Sequence, residues 1–183
     1  MRAIALLLGL LLAAPAAAGF GETVSYKWER SKEAWREGSW DAYLSGYAWH
    51  APYAYSKEKR DEYNDFAAGG GLGRSVLDED GDKHSLYATV FRDSHYKPQY
   101  TAGYAWMRYT EGLALTNGAL SFGYGYTFYM FARSDVNHYL PAPMAGLLAS
   151  ARYGRFELLT VAVPFGKADS GNIALVLLRW KLD

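Results

Sequence analysis

Residues Tyr100–Met130 read YTAGYAWMRYTEGLALTNGALSFGYGYTFYM and form two runs on either side of a break at Thr110–Gly118. In both runs, large and mostly aromatic side chains alternate with small or slim ones. The large set includes Tyr100, Tyr104, Trp106, Phe122, Tyr124, Tyr126 and Phe128, and the small set includes Thr101, Gly103, Ala105, Gly123, Gly125 and Thr127. Sustained alternation with a period of two predicts β-strands, because a helix would mix the two sets on every face.

Neither face of these runs is predominantly charged, which is unusual for a half-buried strand. One face is bulky and apolar enough to contact lipid, and the other is small enough to leave a space. Strands with an apolar outer face are typical of outer-membrane β-barrels, most of which have polar interiors, whereas this pattern predicts an apolar interior. The alternative is a soluble, lipocalin-like barrel closed around a ligand.

The first 18 residues have the three parts of a signal peptide: Arg2, the apolar run Ile4–Leu12 and the small residues Ala16–Ala18. We expect cleavage after Ala18. No later segment approaches the length of apolar sequence that a transmembrane helix needs. An exported chain of this kind spans a membrane only as a closed barrel, so we expect residues 19–183 to form one barrel domain.

The composition limits the classes of partner. The 19 basic and 19 acidic residues cancel, so no nucleic-acid partner is predicted, and the absence of cysteine excludes disulfides. The 16 tyrosines and six tryptophans are more informative. Their rings are apolar and their tips polar, which favours the interface between a membrane and water.

An amphipathic helix is predicted for residues 22–39. Val24, Trp28 and Trp35 fall on one stripe, with charged residues elsewhere. Two interpretations remain open for this helix: it lies in the membrane interface, or it clamps one end of the barrel.

Eight strand-like runs fill residues 41–182, and eight is an even number of strands that can close a membrane barrel. They lie near residues 41–54, 69–77, 84–92, 99–109, 118–131, 144–152, 155–163 and 172–181. The connections Tyr55–Ala68 and Ala132–Pro143 are long, whereas Tyr153–Gly154 is short. Long loops face outward in such barrels, so odd-numbered strands run outward and end at one extracellular rim.

The eighth strand is apolar on both faces over Ile173–Leu178, which suits a lumen that holds hydrocarbon. The charged residues Arg179 and Lys181 bracket Trp180, and we interpret this end of the strand as an interface anchor.

The residues that could perform chemistry belong to the predicted outer rim. His50 lies toward the end of the first strand, Asp93 and Ser94 end the third, and Arg133 follows the fifth. Taken singly, a histidine is more often structural and an Asp-Ser pair is ordinary turn chemistry. Together above an apolar pocket, the imidazole, hydroxyl and carboxylate indicate acyl transfer. We expect His84 to be structural and the loop residues His95 and His138 to be exposed.

Several runs resemble the lipid A palmitoyltransferases of Gram-negative outer membranes, the PagP family. The resemblance covers about residues 25–182 and rests on residues 48–51 (AWHA), 55–59 (YSKEK), 63–64 (YN), 69–73 (GGGLG), 86–88 (LYA), 91–94 (FRDS), 102–104 (AGY), 132–133 (AR), 139–141 (YLP) and 171–172 (GN). No phosphate loop, metal-ligand spacing or nucleophile elbow accompanies them.

The resemblance implies an all-β, eight-stranded antiparallel transmembrane barrel with an N-terminal amphipathic helix. It implies an outer-membrane enzyme, expected to be monomeric, that transfers palmitate from the sn-1 position of a glycerophospholipid to lipid A without a cofactor. The family's essential histidine, aspartate and serine fall on His50, Asp93 and Ser94. We expect His50 to be the general base, Asp93 to orient it or stabilise its charge, and Ser94 to be a nucleophile or a hydrogen-bond donor. Its glycine at the floor of the acyl pocket falls on Ala105, which predicts a preference for a chain somewhat shorter than palmitate. Arg133 is a candidate headgroup contact.

The chain departs from the family pattern in two places, at the rim and at the C-terminus. Pro164 matches one of the family's rim prolines, which interrupt strand pairing, while Ser45, Ala67 and Gly146 stand where others are typical. The chain ends on Asp183 and not on an aromatic residue. The alternative function from a different class is a non-enzymatic, lipid-binding or structural barrel.

Overall fold

The computed structural model describes residues 19–164 and 171–183 and shows an antiparallel barrel closed by eight strands, with a helix before it. The elements are helix α1 (Phe20–Glu37), β1 (Ser39–His50), helix α2 (Lys57–Glu62), β2 (Gly69–Leu77), β3 (Lys83–Arg92), β4 (Pro98–Tyr109), β5 (Leu120–Ala132), β6 (Ala142–Tyr153), β7 (Phe156–Val163) and β8 (Ile173–Lys181). The predicted fold class is confirmed. The predicted signal peptide lies outside the described residues.

Strand β1 closes the barrel because it pairs with β2 on one side and with β8 on the other. Its pairing with β8 runs from Asp41 opposite Lys181 to His50 opposite Ile173. The strand ends four residues earlier than predicted. The amides of Ala54 and Tyr55 both donate to the carbonyl of Ala51, which turns the chain into the loop. This early turn leaves His50 as the last residue of its strand.

The alternation in the sequence corresponds to the two faces of the wall. Tyr100 and Tyr124 are 53% and 56% exposed on the outside, whereas Met107 is 1% exposed on the inside. Glycines allow close pairing where two strands approach. A Cβ on Gly71 would lie 2.1 Å from the carbonyl oxygen of Ala88, which no side chain tolerates.

The connections at the two ends of the barrel differ less in length than predicted, because the connection between β4 and β5 (residues 110–119) is as long as that between β5 and β6 (residues 133–141). We call the end where β1, β3, β5 and β7 finish the outer rim, and the opposite end the inner rim. The loop with α2 and the loop with the 3₁₀ turn Asn137–Tyr139 belong to the outer rim. At the inner rim, Gly154 turns the chain between β6 and β7 with a φ of 58°, a left-handed conformation that favours glycine.

Helix α1 packs against the outside of β2 and β3 at the inner rim. Arg74 donates to the carbonyl oxygens of Trp35 and Gly38, and the Tyr26 hydroxyl donates to Asp78 at 2.9 Å. Trp28 remains 64% exposed and Trp35 67% exposed. The helix therefore has clamp contacts to the barrel and also presents two tryptophans outward. None of the described helices combines the length and apolarity needed to cross a membrane.

The barrel interior has two different halves. Toward the inner rim it contains a group of charged and hydroxyl-bearing side chains that we call the inner cluster: Asp41, Lys83, Tyr109, Glu157 and Arg179. Toward the outer rim it contains a pocket with mostly apolar walls. The expectation of an apolar interior therefore holds for the outer half only.

The expectation that Arg179 anchors the barrel at the interface is wrong. Its side chain lies inside the barrel, 2% exposed, and donates to Glu157 and to the Tyr109 hydroxyl. The physical reason is the alternation of the strand. Trp180 is 44% exposed on the outside, so its neighbour must face inward.

Candidate active site

A pocket opens at the outer rim and descends along the inner face of β8. Its lining on this strand runs from Ile173 through Leu175 and Leu177 to Arg179. The six residue steps between these two ends span about 20 Å, or about 15 Å in depth for a strand tilted by roughly 40°. Leu148 and Leu159 from β6 and β7 add apolar wall. The pocket is therefore a deep, narrow space suited to an extended hydrocarbon chain.

His50 and Ser94 meet at the mouth of this pocket. His50 ends β1, and Ser94 follows β3, its neighbour but one in the barrel. The Nε2 atom of His50 lies 3.2 Å from the Ser94 hydroxyl oxygen. Both residues line the pocket, and His50 is only 4% exposed. The convergence expected from strand direction thus brings an imidazole and a hydroxyl within hydrogen-bonding distance.

Asp65 contacts the other nitrogen of the same imidazole. Its Oδ1 atom lies 3.0 Å from the Nδ1 atom of His50. This aspartate belongs to the loop between β1 and β2, and sequence reasoning did not single it out. No periodic pattern could have found it, because the contact depends on how the loop folds back over the rim.

Asp93 makes its hydrogen bonds within its own turn. Its Oδ1 accepts from the backbone N–H groups of His95, at 2.8 Å, and Lys97, at 2.9 Å. Its Oδ2 is buried, forms no hydrogen bond to another described residue and lies 3.7 Å from Nε of Arg133. The expected role of orienting His50 therefore has no direct contact behind it. Asp93 directly precedes Ser94, so its expected role as a charge stabiliser stays a prediction.

Arg133 places a positive charge at the pocket mouth. Its guanidinium forms two hydrogen bonds of 2.9 Å with Asp135. Burial raises the pKa of Asp135, but the hydrogen bonds and charge of Arg133 outweigh it, so the pKa lies below its ordinary value. The Arg133 side chain is 16% exposed and lines the pocket. It is positioned to contact an anionic group that enters from the rim.

Two tyrosines enclose the imidazole from the loop side. The ring of Tyr55 meets that of His50 edge-on at 5.3 Å, and the ring of Tyr63 lies 4.9 Å from it. The Tyr55 hydroxyl donates to the carbonyl of Gly171, before β8. These contacts hold the loop over the histidine and limit the access of water.

A model of the family described as antimicrobial peptide resistance and lipid A acylation protein PagP matches residues 30–179. The chain belongs to the PagP family.

Curated relatives of the chain include three proteins named lipid A acyltransferase PagP, each 38% identical to it. The match to the Bordetella pertussis (strain CS) protein covers 84% of this chain and 81% of that protein. The match to the Legionella longbeachae protein covers 84% and 65%, and the match to the Legionella pneumophila (strain Paris) protein covers 81% and 77%.

Ala105, the residue that falls on the PagP family's floor glycine, faces into the barrel. It is 5% exposed, lines the pocket and packs with Tyr43, Leu148 and Leu159. The next inward residue of β4, Met107, is buried in the same group of side chains. Ala105 therefore lies where the apolar pocket gives way to packed interior. Its role as the floor stays a prediction.

The other histidines lie where expected. His84 is fully buried beneath α1, with its ring nitrogens 2.7 Å from the Tyr104 hydroxyl and 2.9 Å from Asp78, and these contacts agree with a structural role. His95 and His138 are exposed on the outer-rim loops. Among the described residues, no three histidine, aspartate or glutamate side chains are grouped as a metal site.

Proposed function

We propose that this protein is an outer-membrane acyltransferase that moves an acyl chain from the sn-1 position of a glycerophospholipid to lipid A. One observation carries the proposal: the contact between His50 and Ser94 lies at the mouth of a deep apolar pocket inside a closed barrel. Membership of the PagP family and the names of its relatives support lipid A as the acceptor.

The pocket would hold the acyl chain and present its ester carbonyl at the rim. His50 Nε2 acts as a general base and removes the proton of an attacking hydroxyl. The hydroxyl oxygen bonds to the acyl carbon, the bond from that carbon to the glycerol oxygen breaks, and the glycerol oxygen receives the proton. The products of the complete transfer are a lysophospholipid and acylated lipid A.

Ser94 takes part in this reaction in one of two ways. As a nucleophile, it takes the acyl group first and passes it to lipid A, with His50 moving a proton in each half. As a hydrogen-bond donor, it orients the histidine or the carbonyl while lipid A attacks directly. Both routes use the same 3.2 Å contact. Detection of an acylated Ser94 peptide by mass spectrometry after rapid quenching identifies the first route.

Lipids would reach the pocket sideways between strands at the outer rim. Pairing of β1 with β2 ends at Ser45 opposite Gly69, although β1 continues to His50. On the far side, described pairing of β6 with β7 ends at Leu147 opposite Ala162, and Pro164 supplies no N–H beyond it. Interrupted ladders at these two places support lateral entry despite the missing prolines.

The exposed aromatic and aliphatic side chains of the barrel wall support insertion in a membrane. The barrel closes within one chain, which supports a monomer. We further propose Arg133 as a contact for a lipid phosphate, since an arginine fork matches phosphate oxygens.

The decisive experiment mixes purified protein in detergent with phosphatidylcholine and lipid A and follows the products by mass spectrometry. We expect lipid A with one added acyl chain, together with lysophospholipid in equal amount. A folded barrel, recognised by its heat-modifiable migration in electrophoresis, that retains bound phospholipid but yields no product would favour the non-enzymatic barrel instead.

A further inference from the structure

The two ring nitrogens of His50 have partners of different chemical kind. Nδ1 faces a carboxylate oxygen of Asp65 at 3.0 Å, and Nε2 faces the Ser94 hydroxyl at 3.2 Å. An ionised carboxylate only accepts hydrogen bonds, so the neutral imidazole carries its hydrogen on Nδ1. This leaves a lone pair on Nε2, and a base at that atom needs this tautomer.

Backbone hydrogen bonds hold the loop of Asp65 between the end of β1, which carries His50, and the chain after β3, which carries Ser94. The amide of Ala48, two residues before His50, donates to the Asp65 carbonyl at 2.8 Å. The amide of Asn64 donates to the Ser94 carbonyl at 2.9 Å, and the Asn64 side chain donates to the Asp93 carbonyl at 3.3 Å. The loop is therefore hydrogen-bonded to the end of β1 and to the chain after β3, which places the carboxylate of Asp65 beside the imidazole.

The side chains of His50 and Asp65 differ in burial, which suits different roles for the two residues. The His50 side chain is 3% exposed, whereas that of Asp65 is 49% exposed. Water can solvate the second oxygen of Asp65, so placing this carboxylate beside the ring avoids most of the desolvation penalty of a buried group. The charge lies against the ring nitrogen that becomes positive when His50 takes a proton.

We propose that Asp65 is the positioning residue for His50, and that Asp93 instead shapes the turn that presents Ser94. This inference rests on the proposed acyl transfer for its consequence, although not for its geometry. Asp65 fixes the Nδ1–H tautomer and stabilises the imidazolium. Asp93 anchors its turn by accepting two backbone hydrogen bonds, and its own amide donates to the carbonyl of Lys97 at 2.8 Å.

The test replaces Asp65 by asparagine in the full-length barrel and reads the tautomer of His50 from its side-chain ¹⁵N chemical shifts in detergent. An asparagine amide can donate to Nδ1, which moves the ring hydrogen to Nε2. We expect this shift in Asp65→Asn with no substrate present. The kcat of acyl transfer should fall by roughly 10²- to 10⁴-fold while KM changes little.

Three other variants complete the design. Asp65→Glu keeps a carboxylate and should recover part of kcat and the Nδ1–H tautomer. Asp61→Asn removes the same charge from an exposed site in the same loop and should change neither the tautomer nor kcat. Asp93→Asn should lower activity by disturbing the turn, yet it should leave the His50 tautomer as in the parent protein.

Two results would overturn the inference: an unchanged His50 tautomer in Asp65→Asn, or a loss of the Nδ1–H tautomer in Asp93→Asn alone. The spectroscopic readout needs no turnover. A parent protein without transferase activity whose tautomer still depends on Asp65 would remove the proposed function and leave the positioning role standing.

Discussion

The outer and inner halves of the barrel are built from the same eight strands but filled in opposite ways. In the outer half, inward side chains such as Leu159 and Leu175 leave an open pocket beneath His50. In the inner half, Arg179 donates to Glu157 and Tyr109, and Lys83 lies 3.1 Å from Asp41. A space that must admit a substrate contributes little internal packing, so the inner half has to supply much of the barrel's interior contacts.

The contrast separates chemistry from stability along the axis of the barrel. Substitutions at the outer rim leave the buried ion pairs of the inner cluster intact, so they should affect turnover much more than folding. Substitutions in the inner cluster break buried ion pairs far from the pocket mouth, so they should affect folding much more than turnover.

The largest effect is expected from His50→Ala. Loss of a general base typically costs about 10²- to 10⁴-fold in rate. The midpoint of thermal unfolding, followed by circular dichroism, should change little. His138→Asn is the matched control, because His138 is exposed on an outer-rim loop with a φ of 52°, which asparagine tolerates. Full activity in His50→Ala would show that His50 is not the general base. It would also contradict the assignment of the chemistry to the outer rim.

The second effect is expected from Glu157→Gln in the inner cluster. This change leaves the buried guanidinium of Arg179 without its carboxylate partner. Removing one partner of a buried ion pair typically lowers the free energy of unfolding by about 3–5 kcal/mol. Urea unfolding in lipid vesicles measures it. Glu37→Gln removes the same charge from an exposed residue and is the control. Activity per folded molecule should stay near that of the parent.

A large loss of turnover in folded Glu157→Gln protein would contradict the separation of the two halves. It would mean that the inner cluster sets the position of the pocket walls.

Much of the fold follows from local sequence pattern. Alternation in residues 100–130 is a property of neighbouring residues, so the strands and their two faces are readable without tertiary information. The direction of successive strands then places His50 and Ser94 at one rim. The same alternation predicts that the Arg179 side chain faces inward, since its neighbours Trp180 and Leu178 face outward. The misreading came from treating its charge as evidence of exposure.

Asp65 could not be predicted in this way. It lies in a charge-rich loop without periodicity, and the hydrogen bonds that place it join residues far apart in sequence, such as Asn64 with Ser94. Asp93 was predicted to act on His50 because it ends the third strand at the same rim and because the family's aspartate falls on it. Its carboxylate is committed to the backbone of His95 and Lys97, a local arrangement common for aspartate in turns.

The smallest effect is expected at the boundary between the two halves, where Ala105 faces the bottom of the pocket. Its strand neighbours across the two ladders are Ser85 and Thr127. The Thr127 hydroxyl is held by the Tyr87 hydroxyl at 2.7 Å, so the surroundings have little freedom to move away from an acyl chain. A methyl group at this point therefore limits the length of chain that fits.

Ala105→Gly should lengthen the preferred acyl chain. Overpacking of a close-packed site costs about 1–3 kcal/mol, which corresponds to roughly ten- to a hundredfold discrimination against a chain that is too long. The parent protein should prefer a donor chain shorter than palmitate, near myristate, and Ala105→Gly should gain in kcat/KM for the longer one. Competition between donors of graded length, read by mass spectrometry of acylated lipid A, measures the change. Ala102→Gly is the matched control. Ala102 faces outward on the same strand, and its replacement by glycine introduces the same backbone freedom. Equal profiles in the parent and Ala105→Gly would place the floor deeper, against the inner cluster itself.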